Sequence, residues 1–454
     1  MPVRASERVL RSNRVVLPEG IRAAAIVVRD GVIAKIIEHK AIPCDEVIDF
    51  EDSVIMPGIV DTHVHINEPG RTEWEGFETA TMAAAAGGVT TLIDMPLNSI
   101  PATTTIAAFR EKVAFAQGKL FVDVGFWGGM IPGNVAELSR MYGEGVFGFK
   151  CFLIASGVPE FEALSESELR LAFPELARID ALLLAHAELP GPIEDATQRI
   201  SRRDSRSYST WLASHPSTAE DQAIDLLIRL SKEYKARVHI VHLSSSAAAP
   251  IICAAKAGGT KLTVETCPHY LTIAAEEIPD GATQYKCAPP IRETANQERL
   301  WKALGDGTID FVASDHSPAP PQTKCTDTGD YMRAWGGIAS LQLTLPLLWT
   351  RAHKRGFGIE DIARWLCREP ARISGLLKKG EIAAGRDADL VVWNPDQSFQ
   401  VQAEKMFFRH KLTPYSGQTL FGIVQSTFLR GEEIYTSGDF PLGQRGHVLR
   451  RGEA

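Results

Sequence analysis

Short, nearly continuous apolar runs alternate with longer amphipathic stretches along most of this chain. The runs fall at residues 54–65, 89–95, 121–126, 146–152, 181–187, 238–243, 262–267 and 311–315. Each is rich in β-branched or aromatic residues and apolar on both faces, as a strand buried from both sides should be. Between them, residues 75–86, 165–178, 218–234 and 296–304 carry helical patterning. About eight strand–helix units is the count of a TIM (β/α)8 barrel. A doubly wound open sheet satisfies the same alternation, because alternation alone does not prove closure. The ends of the chain read differently. Residues 22–28 and 32–37 form a hairpin pattern around Asp30-Gly31, a pair that supplies positive φ cheaply. Residues 381–385 lead into a strand at 389–393, and 424–435 repeats the hairpin pattern around Arg430-Gly431. The expectation is an α/β chain whose residues 56–377 form the barrel. Residues 1–55 and 378–454 would together build a small composite β-sandwich domain, the latter ending in a tail.

At 454 residues the chain is long enough for a large domain plus a smaller one. The net charge of −8 argues against a nucleic-acid partner, which needs a clustered basic excess. The short basic run at 199–206 is mixed with Asp and Ser, and reads as a solvated helix face. Seven scattered cysteines do not form a disulfide framework, so a reducing compartment fits better. There is no basic-then-apolar leader and no apolar run near eighteen residues, so the sequence predicts a soluble, cytoplasmic protein with no membrane partner.

Polar residues then change the picture. In Asp61-Thr62-His63-Val64-His65 the two histidines sit at i and i+2 of a strand end, side by side. Neutral imidazole is the commonest protein metal ligand. Alone, the pair reads more economically as two half-exposed loop histidines. Yet Lys150 lies within the fourth apolar run, His186 and His242 close the fifth and sixth, and Asp315 closes the eighth. Downstream strand ends are where TIM-barrel sites are built, and charged groups there need partners or a metal. A hydrogen-bonded core histidine, a snorkelling lysine or a capping aspartate explains each one singly; six on one rim point to a metal site. An ammonium would be repelled by imidazoles and a cation. Carboxylation of Lys150 by carbon dioxide would instead give an anionic carbamate able to bridge two ions.

The strings around His63 and His65, Gly148-Phe149-Lys150, His186, His242 and Ser314-Asp315-His316-Ser317-Pro318 resemble the cyclic amidohydrolases of the amidohydrolase superfamily. Asn67-Glu68-Pro69-Gly70-Arg71, Met95-Pro96-Leu97-Asn98-Ser99-Ile100-Pro101 and Ala334-Trp335-Gly336-Gly337-Ile338 are similar to the branch that opens the hydantoin ring of allantoin. The likeness runs over nearly the whole chain, including Cys287-Ala288-Pro289-Pro290-Ile291-Arg292 and Arg409-His410-Lys411.

The resemblance implies two divalent ions, one held by His63, His65 and Asp315 and the other by His186 and His242. Lys150, as N6-carboxylysine, and a hydroxide would bridge them. Zinc suits these ligands, as do iron, cobalt, manganese and nickel. It further implies Asp315 as general base and then acid, allantoin as substrate, allantoate as product, a place in purine breakdown, and a homotetramer. Departures sharpen the expectation. Asn67 stands where dihydroorotases of this branch carry a carboxylate-gripping arginine, and allantoin has no carboxylate. Ala155 stands where dihydropyrimidinases place a tyrosine. Asn98, Cys287, Ser317 and the Gly336-Gly337 pair are the candidate substrate contacts, the glycines because bare backbone can approach a flat ureide closely. No base pairs with Cys287 in the sequence, so it is not read as a nucleophile. The polar segment 318–335 reads as a lid or as disorder. The rivals are a hydantoinase or dihydropyrimidinase with a broader pocket, and a non-catalytic scaffold. The scaffold normally goes with lost ligands, and here all six positions are filled.

Overall fold

A computed structural model of the protein describes residues 7–40 and 47–453. Cys44 and residues 1–6, on which the expectation of no leader partly rests, lie outside the described residues. Five strands come first: β1 (Glu7–Leu17), β2 (Gly20–Arg29), β3 (Val32–Glu38), β4 (Val47–Asp49) and β5 (Val54–Pro57). The barrel begins with β6 (Ile59–Val64), β7 (Val89–Asp94) and β8 (Asp123–Phe126), the last continued by the short β9 (Gly128–Gly129). It goes on with β10 (Phe149–Phe152), β11 (Leu182–His186), β12 (Arg237–Ile240), β13 (Leu262–Thr266) and β14 (Phe311–Val312). Strands β15 (Leu390–Gln400), β16 (Thr419–Leu429) and β17 (Glu432–Thr436) follow.

Strands β6 to β8 pair in sequence order and in parallel, as do β9 to β14. The two arcs join where Trp127 N–H donates to Asp94 and Gly128 N–H to Gly148, at 3.0 and 2.9 Å. They close where His65 N–H donates to the His316 carbonyl at 2.8 Å, beside a parallel bridge from Val64 to His316. Closure excludes the open sheet. Helices cover the outside. One of them, Glu166–Arg178, starts at a capping box in which Ser165 and Glu168 satisfy each other's backbone N–H groups.

The eighth apolar run was expected to be strand as far as Asp315, but the ladder stops at Val312. Asp315 has φ +44°, a left-handed backbone no strand can hold, and Ser314 N–H turns to the Asp61 carboxylate at 3.2 Å.

Both chain ends meet in one eight-stranded sheet of order β17-β16-β15-β5-β1-β2-β3, with β4 also on β1. Asp30-Gly31 and Arg430-Gly431 supply paired positive φ values, 52° with 81° and 49° with 75°, at the two hairpin turns. The sheet curls on itself: Ile33 N–H reaches Arg386 and Ala388 N–H reaches Gly31, each at 2.9 Å. Leu10, Ile26, Ile55, Leu390, Val392 and Phe428 fill the space enclosed. The tail returns to the barrel, where Gly446 and Leu449 donate to Leu120 and Val124 at 2.9 Å. Buried Lys379 joins the two parts, 2.9 Å from Asp123 on β8 and 2.6 Å from Asp389.

Candidate metal centre and pocket

His63 lies inside β6 and His65 one residue beyond it, their rings 5.6 Å apart. Their Nε2 atoms approach Asp315 Oδ1 at 3.3 and 3.5 Å. A tetrahedral ion with bonds of about 2.0–2.1 Å would put its ligand atoms roughly 3.4 Å apart. His63, His65 and Asp315 thus form a buried group that could hold a metal ion. Opposite them, His186 Nδ1 faces His242 Nε2 at 3.0 Å, and the His63 and His242 rings are 5.4 Å apart. Lys150, from the middle of β10, brings a buried Nζ that has no hydrogen-bond partner, 5.0 Å from the centre of the Phe152 ring. An orphaned buried amine is costly, and a carbamate on it would turn the lone donor into two acceptors. The donor set of His63, His65 and Asp315 fits one cation, and His186, His242 and a carboxylated Lys150 would suit a second beside it.

His242 and Asp315 each sit past their strands with positive φ, 42° and 44°. Non-glycine residues held there cost on the order of 1–2 kcal/mol each and gather at functional sites. Burial lowers the imidazoles of His65, to about 4, and of His186 and His242, which keeps them neutral with a lone pair free. Burial also lowers the Lys150 ammonium, to about 8, against the pull of Asp315 and Glu265. For Asp315, burial alone would raise the carboxyl, but His63 and His65 beside it hold it well below the carboxylate range.

Two further carboxylates stand behind these rings. Glu265, fully buried on β13, accepts from His63 Nδ1 and, at 3.1 Å, from His239 Nε2. Glu188 accepts from His186 Nε2 at 2.7 Å. They fix opposite tautomers, leaving Nε2 of His63 and Nδ1 of His186 to face the centre. Glu265 lies within the apolar run 262–267 as Lys150 lies within 146–152, so the same rule could have found it; Glu188 lies in a loop and carried no such signal.

All six residues, with Asn98, Cys287, Ser317, Gly336 and Gly337, line one cavity of about 290 Å³. Asn98 Nδ2 lies 3.4 Å from His65 Nδ1. Burial pushes the Cys287 thiol up to about 12, and its Sγ donates to the Pro289 carbonyl at 3.3 Å, so it is no nucleophile. Ala155 lines the cavity too, but Asn67 does not: it is buried, with Nδ2 3.5 Å from the Pro318 carbonyl. Trp211, His215, Lys286, Arg333 and Trp335 also line it; of these only Trp335 stood in a string the sequence singled out. Among the described residues, no helix is long and apolar enough to cross a membrane.

A closed barrel with a rim of imidazoles, a carboxylate and a buried lysine defines a hydrolase class. The chain belongs to the amidohydrolase family, whose model matches residues 54–434. Within it, the chain is 52% identical to the allantoinase of Streptomyces avermitilis, over 98% of this chain and 99% of that one. It is 47% identical to the allantoinase of Saccharomyces cerevisiae, over 86% of this chain and 85% of that one. Among solved structures, the L-hydantoinase (dihydropyrimidinase) of Arthrobacter aurescens superposes with a TM-score of 0.93 at 32% identity, covering 98% of this chain and 99% of that one.

Proposed function

We propose that this protein acts as an allantoinase, hydrolysing an amide of the hydantoin ring of allantoin to give allantoate. The observation that carries the reading is the spacing of His63, His65 and Asp315 as one metal-sized group, with His186, His242 and Lys150 in the same cavity. The choice of substrate rests on the full-length likeness to allantoinases.

His63, His65 and Asp315 would hold one divalent ion and His186 and His242 the other, with Lys150 as N6-carboxylysine between them. Zinc suits the set, and iron, cobalt, manganese and nickel are compatible. When bound, the ions would polarise the scissile carbonyl and ready water for attack near neutral pH. Asp315 is ionised and faces the cavity, so it can take a proton from the attacking water and return it to the ring nitrogen as the C–N bond breaks. An amide nitrogen leaves badly without that proton. Asn98, Ser317, Cys287 and Gly337 would contact the ureide, and the uncharged Ala155 wall leaves room for its side chain. A cytoplasmic homotetramer serving purine breakdown completes the proposal.

The test is ring opening of allantoin, hydantoin and dihydrouracil by the metal-loaded protein. The reading expects kcat/KM for allantoin to exceed the other two by at least about tenfold. Preference for hydantoin or dihydrouracil would move the assignment to a hydantoinase or dihydropyrimidinase.

A further inference from the structure

The segment after β14 that forms one wall of the cavity, residues 318–335, contains no strand or helix. It is nonetheless tied down from inside. Lys324 is only 3% exposed, and its ammonium donates to the carbonyls of Lys286 at 3.2 Å, Trp335 at 2.9 Å and Gly337 at 2.7 Å. An ammonium has three N–H groups, and all three are used. The bonds join two adjacent stretches of chain that line the cavity, Lys286–Ala288 and Arg333–Gly337. Gly337 N–H also donates to the Lys286 carbonyl, and Trp335 N–H to that of Thr323, both at 2.8 Å. Lys286 adds a second tie, its Nζ donating to Ala334 at 2.5 Å while lying 4.1 Å from the centre of the Trp211 ring.

A buried ammonium without a counter-ion is costly. The titratable groups facing Lys324 are Lys286, Cys287 and Cys325, and no carboxylate faces it among the described residues. A methionine would fill the same space without that cost, so packing alone does not account for a lysine here.

We propose that Lys324 is a positioning residue for the substrate: by gathering three main-chain carbonyls from two adjacent lining stretches, it sets how Cys287 and the Trp335–Gly337 stretch are held against each other at the cavity. This rests on the cavity being the allantoin site. Burial, reinforced by the Lys286 charge, brings Lys324 down to about 7, and burial brings Lys286 to about 8. As pH rises through neutrality Lys324 loses a proton, two N–H groups remain for three carbonyls, and the wall loosens. KM for allantoin therefore rises with pH while kcat changes less.

The experiment compares wild type with Lys324→Met and Lys324→Arg at equal metal content. Lys324→Met is expected to raise KM at least about tenfold at pH 6.5 with kcat within about threefold, and to abolish the pH dependence of KM. Lys324→Arg, which keeps donors and never titrates, is expected to restore much of the affinity with a flat profile. Unchanged KM in a folded Lys324→Met would overturn the proposal. Amide exchange at Trp335 and Gly337 gives a readout independent of turnover, expected to quicken at least about tenfold in Lys324→Met; equal exchange also overturns it. If Lys324→Met does not fold, the wild-type profile decides, since a KM flat between pH 6 and 8 is contrary to the proposal. A wild type inert toward allantoin would refute the functional reading instead, leaving the exchange measurement to judge Lys324.

Discussion

Replacing Glu265 by glutamine should weaken metal binding while leaving every residue that lines the cavity unreplaced. Glu265 is completely buried, and its two oxygens serve two imidazoles, His63 Nδ1 and His239 Nε2. Burial would raise such a carboxyl, yet His63 and His239 hold it ionised, down to about 2. Glutamine keeps the shape but turns one oxygen into an N–H donor, so one imidazole loses its acceptor. A hydrogen bond to an ionised group contributes about 1.5–3 kcal/mol. If His63 is the one affected, its lone pair is no longer held at Nε2 toward Asp315. The expected loss is about 10–100-fold in metal affinity, the same magnitude expressed as an equilibrium constant. The assay titrates zinc into chelator-stripped wild type, Glu265→Gln and Glu265→Met against a competing chromophoric chelator. Urea unfolding of the metal-free proteins separates affinity from stability. Equal zinc affinity in wild type and in Glu265→Met, which offers neither imidazole an acceptor, would refute the reasoning that Glu265 orients His63.

Other outcomes follow from the same geometry. Asp315→Asn should lower kcat by about 10²–10⁴ with the fold retained, read by steady-state kinetics beside circular dichroism. Lys150→Met should lose metal by elemental analysis, and native mass spectrometry of wild type should show one added carbon dioxide that acid removes. Gly337→Ala should cost at least about tenfold in kcat/KM, because its Cβ would sit 2.2 Å from the Ser317 carbonyl at a φ of +145°. The metal-free protein should lose stability as pH falls from about 6.5 toward 4. His65, His215 and His269 are each lowered by burial to about 4, so over that window the unfolded chain binds protons the folded one refuses. Urea midpoints at pH 7 and 4.5 measure it, and equal midpoints would contradict the burial of neutral imidazoles.

Much of the barrel was legible because strands buried on both faces must be apolar throughout, so a histidine or lysine at their ends stands out. His63, His65, Lys150 and His186 lie on or next to such strands, and the apolar runs led to them directly. His242 and Asp315 were found by the same runs, although both sit in left-handed turns beyond the last paired residue. Side-chain pattern carries no mark of where a ladder ends. Barrel closure was not legible, since it depends on backbone bonds such as that from His65 to His316. Glu188, Lys286 and Lys324 were hidden for a further reason. Each sits in irregular chain, where no period separates a buried polar group from a solvated one, and its partners are distant in sequence.

If His63, His65, Lys150, His186, His242 and Asp315 hold the metal centre of an allantoin-opening hydrolase, turnover must follow the metal. The most direct measurement is the rate of allantoin ring opening as metal is restored to chelator-stripped protein, with bound metal counted at each point. No turnover is expected without metal, and a rise to a plateau at two ions per chain as it is restored. Full activity in the stripped protein, or none at full occupancy, would contradict that expectation.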